Sequence, residues 1–163
     1  MNRQEREKLR QKAAQAEPET RKFFKKLLKK RNFRPEHVLY ELHEEAFARY
    51  DCLDCANCCR SISPIIYEKD IDRISRYLKI KPSKVTEQYF QKDEEGDFVF
   101  RSKPCPFLLP DNYCSIYEVR PKSCREYPHT HQREFIKNYH VTIKNTYICP
   151  IAFYVAEKLK DKE

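Results

Sequence analysis

The stretch Cys52-Leu-Asp-Cys55-Ala-Asn-Cys58-Cys59 holds four of the eight cysteines in a chain of 163 residues. A spacing of two residues brings successive sulfurs to one point, as a tetrahedral metal ion or the corner of an iron–sulfur cluster requires. Neighbouring cysteines such as Cys58 and Cys59 are poorly placed for a disulfide bond with each other. The stretch therefore predicts a domain that is organised around a thiolate metal site.

The other four cysteines are scattered over 45 residues of the chain. Two of them precede proline, in Cys105-Pro106 and Cys149-Pro150, and Cys114 and Cys124 flank a nine-residue segment. Metal ligands at these distances in sequence would connect the ends of the domain and stabilise it. Cys149 lies in an apolar segment, so a buried thiol without a metal is the alternative for this residue.

The spacing leaves the metal and the ligand partition open, because soft thiolates suit zinc and iron–sulfur clusters alike. Cys52, Cys55 and Cys58 with Cys149-Pro150 imitate the ferredoxin pattern, in which a distant cysteine before proline completes a cluster, most simply a [4Fe–4S] cluster. Eight cysteines also fit two four-thiolate sites, in which Cys58 and Cys59 point in different directions and serve different metals. His129 and His131 are either substitute ligands or ordinary surface histidines.

Three blocks of the sequence resemble the YkgJ-type cysteine-cluster family. They are Cys52-x2-Cys55-x2-Cys58-Cys59, Cys105-Pro-Phe-Leu, and Cys114-Ser-Ile-Tyr-Glu-Val-Arg-Pro-x2-Cys124-Arg-x-Tyr-Pro, in this order. The resemblance covers about residues 50–150 and implies chelation of zinc or iron. The family is similar to the flagellin lysine N-methylases, which adds protein-lysine methylation as a less favoured interpretation. Relatives often carry glycine before the cysteine pair, where this chain has Asn57, a residue that tolerates a left-handed backbone.

Polar side chains within these blocks are candidates to surround the metal. A four-thiolate zinc or [4Fe–4S]²⁺ site has a net charge of −2, which a nearby guanidinium would stabilise. Tyrosine hydroxyls can donate hydrogen bonds to sulfur. The candidates are Arg60, Tyr117, Arg120, Arg125 and Tyr127, and the alternative is that Arg120 and Arg125 form surface pairs with Glu118 and Glu126.

The composition excludes several classes of protein. Gly96 is the only glycine, so neither a dinucleotide-binding turn nor a P-loop can be formed. No run approaches the ~20 apolar residues of a membrane span, and no apolar signal segment follows Met1. These features predict a soluble, cytoplasmic protein whose thiols are reduced.

The net charge of +8 belongs to the first 36 residues, which hold thirteen Lys/Arg and five Asp/Glu. Pro18 predicts a boundary between a frayed helix and a second helix with an apolar stripe, which consists of Phe23, Phe24, Leu27 and Leu28. We interpret residues 1–36 as a basic helical arm and residues 37–163 as the cysteine-cluster domain. Three interpretations of the arm are open. It is a packed helix with a solvated basic face, or it contacts RNA or an acidic protein. The third and least favoured interpretation is a helix that lies on a membrane surface.

The apolar spacing and turn residues in the rest of the chain predict a mainly α fold with a small cysteine-rich region that is irregular or forms a β-hairpin. Helices are expected at about 35–49, 68–79, 83–92 and 132–160, the last with a break at Pro150. Residues 98–101 and 106–109 are expected to pair as a hairpin, and residues 110–131 to be irregular.

Two functions are consistent with this sequence. The first is an iron–sulfur or zinc cysteine-cluster protein, redox-active in electron transfer or in the modification of a macromolecule. The second is a structural-zinc module whose basic arm contacts RNA or a protein partner.

Overall fold

The computed structural model describes residues 1–31 and 34–162 and is mainly α-helical. The helices in chain order are α1 (Arg3–Lys29), α2 (Glu36–Arg49), α3 (Cys52–Cys55), α4 (Asn57–Ser61), α5 (Glu68–Leu78), α6 (Pro82–Tyr89), α7 (Lys122–Glu126), α8 (Glu134–Lys137), α9 (Tyr139–Thr146) and α10 (Pro150–Lys162). The strands β1 (Phe90–Lys92) and β2 (Phe98–Phe100) form an antiparallel hairpin. The predicted fold class, mainly α with a small hairpin, is confirmed.

The chain divides into two compact units. Unit 1 consists of Met1–Asn57 and Pro128–Glu163, and unit 2 consists of Cys58–Tyr127. Helix α1 belongs to the same unit as the C-terminal helices. The division into an arm of residues 1–36 and a domain of residues 37–163 stays a prediction.

Unit 1 is a helical assembly in which α1 packs against α8, α9 and α10, and α10 packs against α2. Phe24 of α1 is fully buried and meets the ring of Phe135 edge-on, with 5.9 Å between the centroids. The outer side of α1 is solvated. Whether its basic face contacts RNA or a protein stays a prediction. Leu28, which the sequence placed in the apolar stripe, is 47% exposed.

Helix α1 runs through Pro18, so the predicted boundary at this proline is wrong. A proline inside a helix removes one backbone hydrogen bond and costs about 3 kcal/mol. Pro18 lies on the exposed side, and the apolar residues before and after it, such as Ala13 and Phe24, are both buried. The burial of both halves of the helix offsets the local cost.

Unit 2 has a core of its own, formed by α5, α6, the hairpin and the following loop. Its buried side chains are Ile66, Ile71, Ile74, Val85, Phe90, Phe100, Phe107 and Ile116. The predicted helix at 83–92 ends at Tyr89, because the chain turns into β1.

The predicted pairing of 98–101 with 106–109 is wrong. Phe98–Phe100 pairs instead with Phe90–Lys92, its neighbour across the short Asp93–Asp97 turn. Gly96 in this turn has a φ of +87°, which glycine adopts without steric cost. Residues 106–109 make a separate small loop, closed by an isolated bridge between Leu108 and Cys114.

Candidate metal centre

Helix α4 brings the sulfurs of Cys58 and Cys59 close together. Their Sγ atoms are 3.9 Å apart, and one thiol donates a hydrogen bond to the other. A zinc–sulfur distance of about 2.3 Å in a tetrahedron places two ligand sulfurs about 3.8 Å apart. The pair therefore has the separation of two ligands of one ion, and the expectation that the two side chains point in different directions is wrong.

Backbone hydrogen bonds in unit 2 bring Cys105 and Cys114 towards Cys59, and Cys124 lies on a short helix of the same unit. The Cys105 N–H donates to the Cys59 carbonyl at 2.8 Å, which joins the 105–109 loop to α4. The bridge between Leu108 and Cys114 then folds Cys114 back over the same loop. Cys124 lies on α7, in which its N–H donates to the Pro121 carbonyl at 3.0 Å.

The thiols of Cys105, Cys114 and Cys124 all lie close enough to Cys59 for its charge to affect their pKa values. Burial, with smaller contributions from the charges of Cys59 and Cys114, raises the pKa of Cys105 to about 11 and that of Cys124 to about 12. The pKa of Cys114 is raised by burial and then by Cys59. The hydrogen bond from Cys58 is the main reason that the pKa of Cys59 is lowered to about 7. These four cysteines form one group with the most acidic thiol at Cys59.

Backbone amides in the same loop donate to the sulfurs of this group. The Cys105 sulfur accepts N–H groups from Phe107 and Leu108, and the Cys114 sulfur accepts that of Ile116. Each such bond favours the thiolate and lowers the thiol pKa, although burial outweighs it here. Amide-to-sulfur bonds of this kind support thiolate ligands around a metal ion.

Unit 1 holds a second group, formed by Cys52, Cys55 and Cys149. Cys52 and Cys55 lie at the two ends of α3, and Cys149 directly precedes Pro150, the first residue of α10. Burial, with smaller contributions from the charges of Cys55 and Cys52, raises the pKa of Cys149 to about 12, so the three thiols are neighbours. The Cys149 sulfur accepts N–H groups of Ile151 and Ala152 at the start of α10. Cys149 is therefore buried, as its apolar segment suggested, and it also lies beside two other thiols.

Two of the three candidate arginines act on the cysteines. The charges of Arg60 and Arg120 lower the pKa values of Cys59 and Cys114, respectively. The Arg60 guanidinium donates to the Asn112 side chain, which orders it. Arg125 is exposed on α7, and its suggested partner Glu126 pairs instead with Lys122 at 3.7 Å.

The two candidate tyrosines lie in different surroundings, and a hydrogen bond from either hydroxyl to a sulfur stays a prediction. Tyr117 is 42% exposed and stacks on Tyr113, with 5.8 Å between ring centroids. The Arg120 guanidinium lies 3.7 Å above the Tyr117 ring and donates to the Tyr117 carbonyl at 2.7 Å. Tyr117 thus positions Arg120, while Tyr127 ends α7 through its N–H bond to the Ser123 carbonyl.

His129 and His131 both belong to unit 1. The His131 ring packs against that of His43, with 4.8 Å between centroids, and His43 is hydrogen-bonded to the Thr130 hydroxyl at 2.7 Å. Burial and then the charge of His131 lower the pKa of His43, so His43 is held neutral. His129 adopts a left-handed backbone with a φ of 62°.

Sequence reasoning missed an ion pair that supports the cysteine loop of unit 2. Asp70 of α5 is buried and accepts a hydrogen bond from Arg73 at 2.6 Å and another from the Lys122 N–H at 3.1 Å. Arg73 also donates to the carbonyls of Val119 and Arg120. The only sequence signal is a charged pair three residues apart on a helix with an apolar face.

Within residues 1–31 and 34–162, no three His, Cys, Asp or Glu side chains are already closed around a position that could hold a metal ion. The donor chemistry nevertheless fits a thiophilic metal, since both groups consist of thiols supported by amide donors. The groups would have to lose protons to bind it, because metal ligands are thiolates.

The comparison with known families agrees with this donor set. Residues 51–149 match the CxxCxxCC family, described as "Putative zinc- or iron-chelating domain". The chain belongs to this family. The matched range includes all eight cysteines. It does not cover the residues before position 51.

One curated relative is an uncharacterized protein of Methanocaldococcus jannaschii, which is 35% identical over 86 residues. The match covers 51% of this chain and 46% of the relative, so the chain spans about half of that protein's length. No solved structure matches the chain. No described helix is both long and apolar enough to cross a membrane.

Proposed function

We propose that this protein binds metal through two separate thiolate groups. The first is formed by Cys59, Cys105, Cys114 and Cys124 in unit 2. The second contains Cys52, Cys55 and Cys149 in unit 1. The observation that carries the proposal is that, in each group, the charges of the other thiols help to raise the pKa of a buried member, Cys124 in the first and Cys149 in the second.

The two groups suit different tasks. Unit 2 contains five thiols, all at least partly buried, because Cys58 lies beside Cys59. The four thiols of the first group are the number that a closed structural site uses. Unit 1 offers three, of which Cys52 is exposed. A centre with fewer protein ligands and an exposed edge is accessible to a partner or a substrate, so we place the functional chemistry there.

We favour iron–sulfur chemistry for the accessible centre. The C-x2-C spacing of Cys52 and Cys55 and the Cys149-Pro150 pair support this choice. A bound cluster, such as [4Fe–4S], would supply one-electron transfer with a partner protein. The ferredoxin-like grouping that adds Cys58 to these three stays a prediction.

The alternative is that zinc fills both groups and has a structural role. The separation of 3.9 Å between the sulfurs of Cys58 and Cys59 favours this alternative for unit 2, because it suits two ligands of a single ion.

The test is anaerobic purification of the full chain, followed by an absorption spectrum from 300 to 700 nm and elemental analysis for iron and zinc. We expect metal at two sites and a visible band from a cluster. A colourless protein with two zinc ions would contradict the redox role and support the structural alternative. A protein without stoichiometric metal would contradict the whole proposal.

Two matched variants test the partition. Cys149→Ser removes a ligand from the unit 1 group, and Cys124→Ser removes one from the unit 2 group. Each should lose the metal of its own group and keep that of the other, so each is the control for the other. Loss of all metal in both variants, with circular dichroism still helical, would contradict two separate groups.

A further inference from the structure

The positive charge of this chain is concentrated in one short segment. Residues 20–35 contain eight Lys/Arg and no Asp/Glu, which equals the net charge of +8 for the entire sequence. Most of this segment is the C-terminal half of α1. The metal chemistry proposed above has no use for this charge, since the cysteine groups lie elsewhere in the chain.

The helix geometry places four of these lysines on one face. Lys22, Lys25, Lys26 and Lys29 recur at i, i+3, i+4 and i+7 and are all exposed. The opposite side of α1 is the one that packs into unit 1, through buried residues such as Phe24. A helix rises 1.5 Å per residue, so the four lysines form a stripe about 10 Å long. We call them the lysine face.

The lysine face is not neutralised by the rest of the described chain. Some cations elsewhere do have carboxylate partners, such as Lys84 with Glu87 at 2.8 Å and Lys160 with Glu157 at 2.8 Å. In residues 1–31 and 34–162, none of the four lysines forms an ion pair.

A groove in unit 1 extends the positive surface along the side of α1. Arg21, His140 and Lys144 line this groove, whose volume is about 490 Å³. It also contains one carboxylate, Glu17, which is engaged by Arg21 at 2.6 Å and by the Tyr147 hydroxyl at 2.5 Å. These contacts leave Lys144 as a further cation across the groove from α1.

The composition of the lysine face and its surroundings favours one class of anionic partner over the others. A helix that inserts into a membrane surface needs a free apolar face, and that of α1 is buried in unit 1. Protein interfaces are depleted in lysine and depend on apolar and aromatic anchors, of which this half of α1 exposes only Leu28 among its described large side chains. Nucleic-acid interfaces are strongly positive and polar, and lysine contacts phosphate as a point charge.

We propose that the lysine face of α1 binds the phosphate backbone of a nucleic-acid duplex, without reading its base sequence. Lysine side chains alone do not distinguish bases at the backbone. A duplex carries one phosphate charge per ~1.7 Å of its axis, so a 10 Å stripe can reach several phosphates at once.

The experiment measures binding of the full metal-loaded chain to a labelled 20-base-pair RNA hairpin by fluorescence anisotropy between 50 and 200 mM salt. A DNA duplex of the same length shows whether one or both nucleic acids are bound. The test variant is K22Q/K25Q/K26Q/K29Q, since glutamine has a helix propensity close to that of lysine. The matched control is K69Q/K79Q/K81Q/K92Q, which removes the same charge from exposed lysines of unit 2.

We expect the test variant to lose at least tenfold in affinity, and the slope of log K against log salt to become shallower by about 3 to 4, as the loss of four phosphate contacts requires. The control variant should bind within about threefold of the native chain. Binding to neither nucleic acid, or an equal loss in both variants, would overturn the proposal. So would binding of polyglutamate or of anionic phospholipid vesicles as strong as that of the hairpin.

Two measurements separate this result from the metal proposal. Circular dichroism and metal content should be unchanged in the test variant, because the four lysines lie outside the cysteine groups. Loss of metal together with loss of binding would instead show a folding defect. In that case the single variants K22Q and K29Q decide: neither touches the core, and each should make the salt slope shallower by about 1.

Discussion

Ala56 is the residue with the least expected conformation in the cysteine-rich stretch. It lies between α3 and α4 and has a left-handed backbone with a φ of 45°. For a residue with a Cβ this conformation costs about 1 kcal/mol relative to glycine. Asn57, which the sequence suggested for such a turn, is helical instead, and its side-chain Nδ2 donates to the Ile148 carbonyl at 2.7 Å.

The substitution Ala56→Gly should therefore stabilise the protein. We expect the free energy of unfolding in urea to rise by about 0.5–1 kcal/mol, because glycine adopts a positive φ without steric cost. The same change at Ala14, an exposed residue inside α1, is the control and should lower stability by a similar amount. A loss of stability at both positions would show that Ala56 is not strained.

At the scale of elements, α5 is the support of the loop that carries Cys114 and Cys124. The carboxylate of Asp70 accepts N–H groups from Tyr67 and Lys122, and its partner Arg73 reaches two carbonyls of the segment before α7. These bonds join a regular helix to a part of the chain with little regular structure. The cysteines of that loop depend on this junction for their positions.

The substitution Asp70→Asn should lower the free energy of unfolding by about 2–3 kcal/mol, because it leaves Arg73 without its buried partner. Metal bound by the unit 2 group should also dissociate faster, as followed by transfer to a chromogenic chelator. Glu87→Gln breaks the exposed pair with Lys84 and should change stability by less than about 0.5 kcal/mol. Equal effects of the two substitutions would refute the role of Asp70.

The elements were predicted well where local patterns decide them and poorly where distant contacts do. Helix α2 begins within one residue of its predicted start, because its apolar spacing is local. Helix α6 was predicted to reach residue 92, but Phe90 and Phe100 pair across the hairpin with ring centroids 5.4 Å apart. The contact between Phe90 and Phe100 ends the helix before residue 92. The spacing of apolar residues within 83–92 gives no sign of this contact, because its partner lies outside that segment.

At the scale of the whole molecule, we expect metal ligands and apolar cores to contribute to stability in different proportions in the two units. Unit 1 is stabilised by long helices with buried aromatic and aliphatic side chains. Unit 2 is smaller and contains the loop at 105–115 and the short helix α7. A structural metal contributes directly to the stability of the segment that binds it.

Removal of metal should therefore affect the chain unevenly. We expect a chelator to reduce the protection of backbone amides at about 105–126 by more than tenfold in hydrogen exchange. The amides of α1, and those of α10 beyond its first turn, should keep most of their protection, because buried apolar side chains hold these segments in place. Uniform loss of protection along the chain, or none at all, would contradict this expectation.

The sequence by itself determined the mainly α class, the thiolate character of the candidate site and the position of the excess positive charge. Each of these depends on residue types and short spacings, which are readable without knowledge of the fold. The tertiary structure decided which thiols are neighbours. Cys149 lies beside Cys52 and Cys55, while Cys105, Cys114 and Cys124 lie around Cys59.

The tertiary structure also decided which side of α1 is buried and which lysines remain unpaired. These properties depend on contacts between residues far apart in sequence, whose energies arise only when the chain is packed. Burial moves the pKa of Cys105 and Cys124 upwards, and a neighbouring thiol moves that of Cys59 downwards. The same residue type therefore acquires different chemistry from its surroundings, which a linear sequence does not contain.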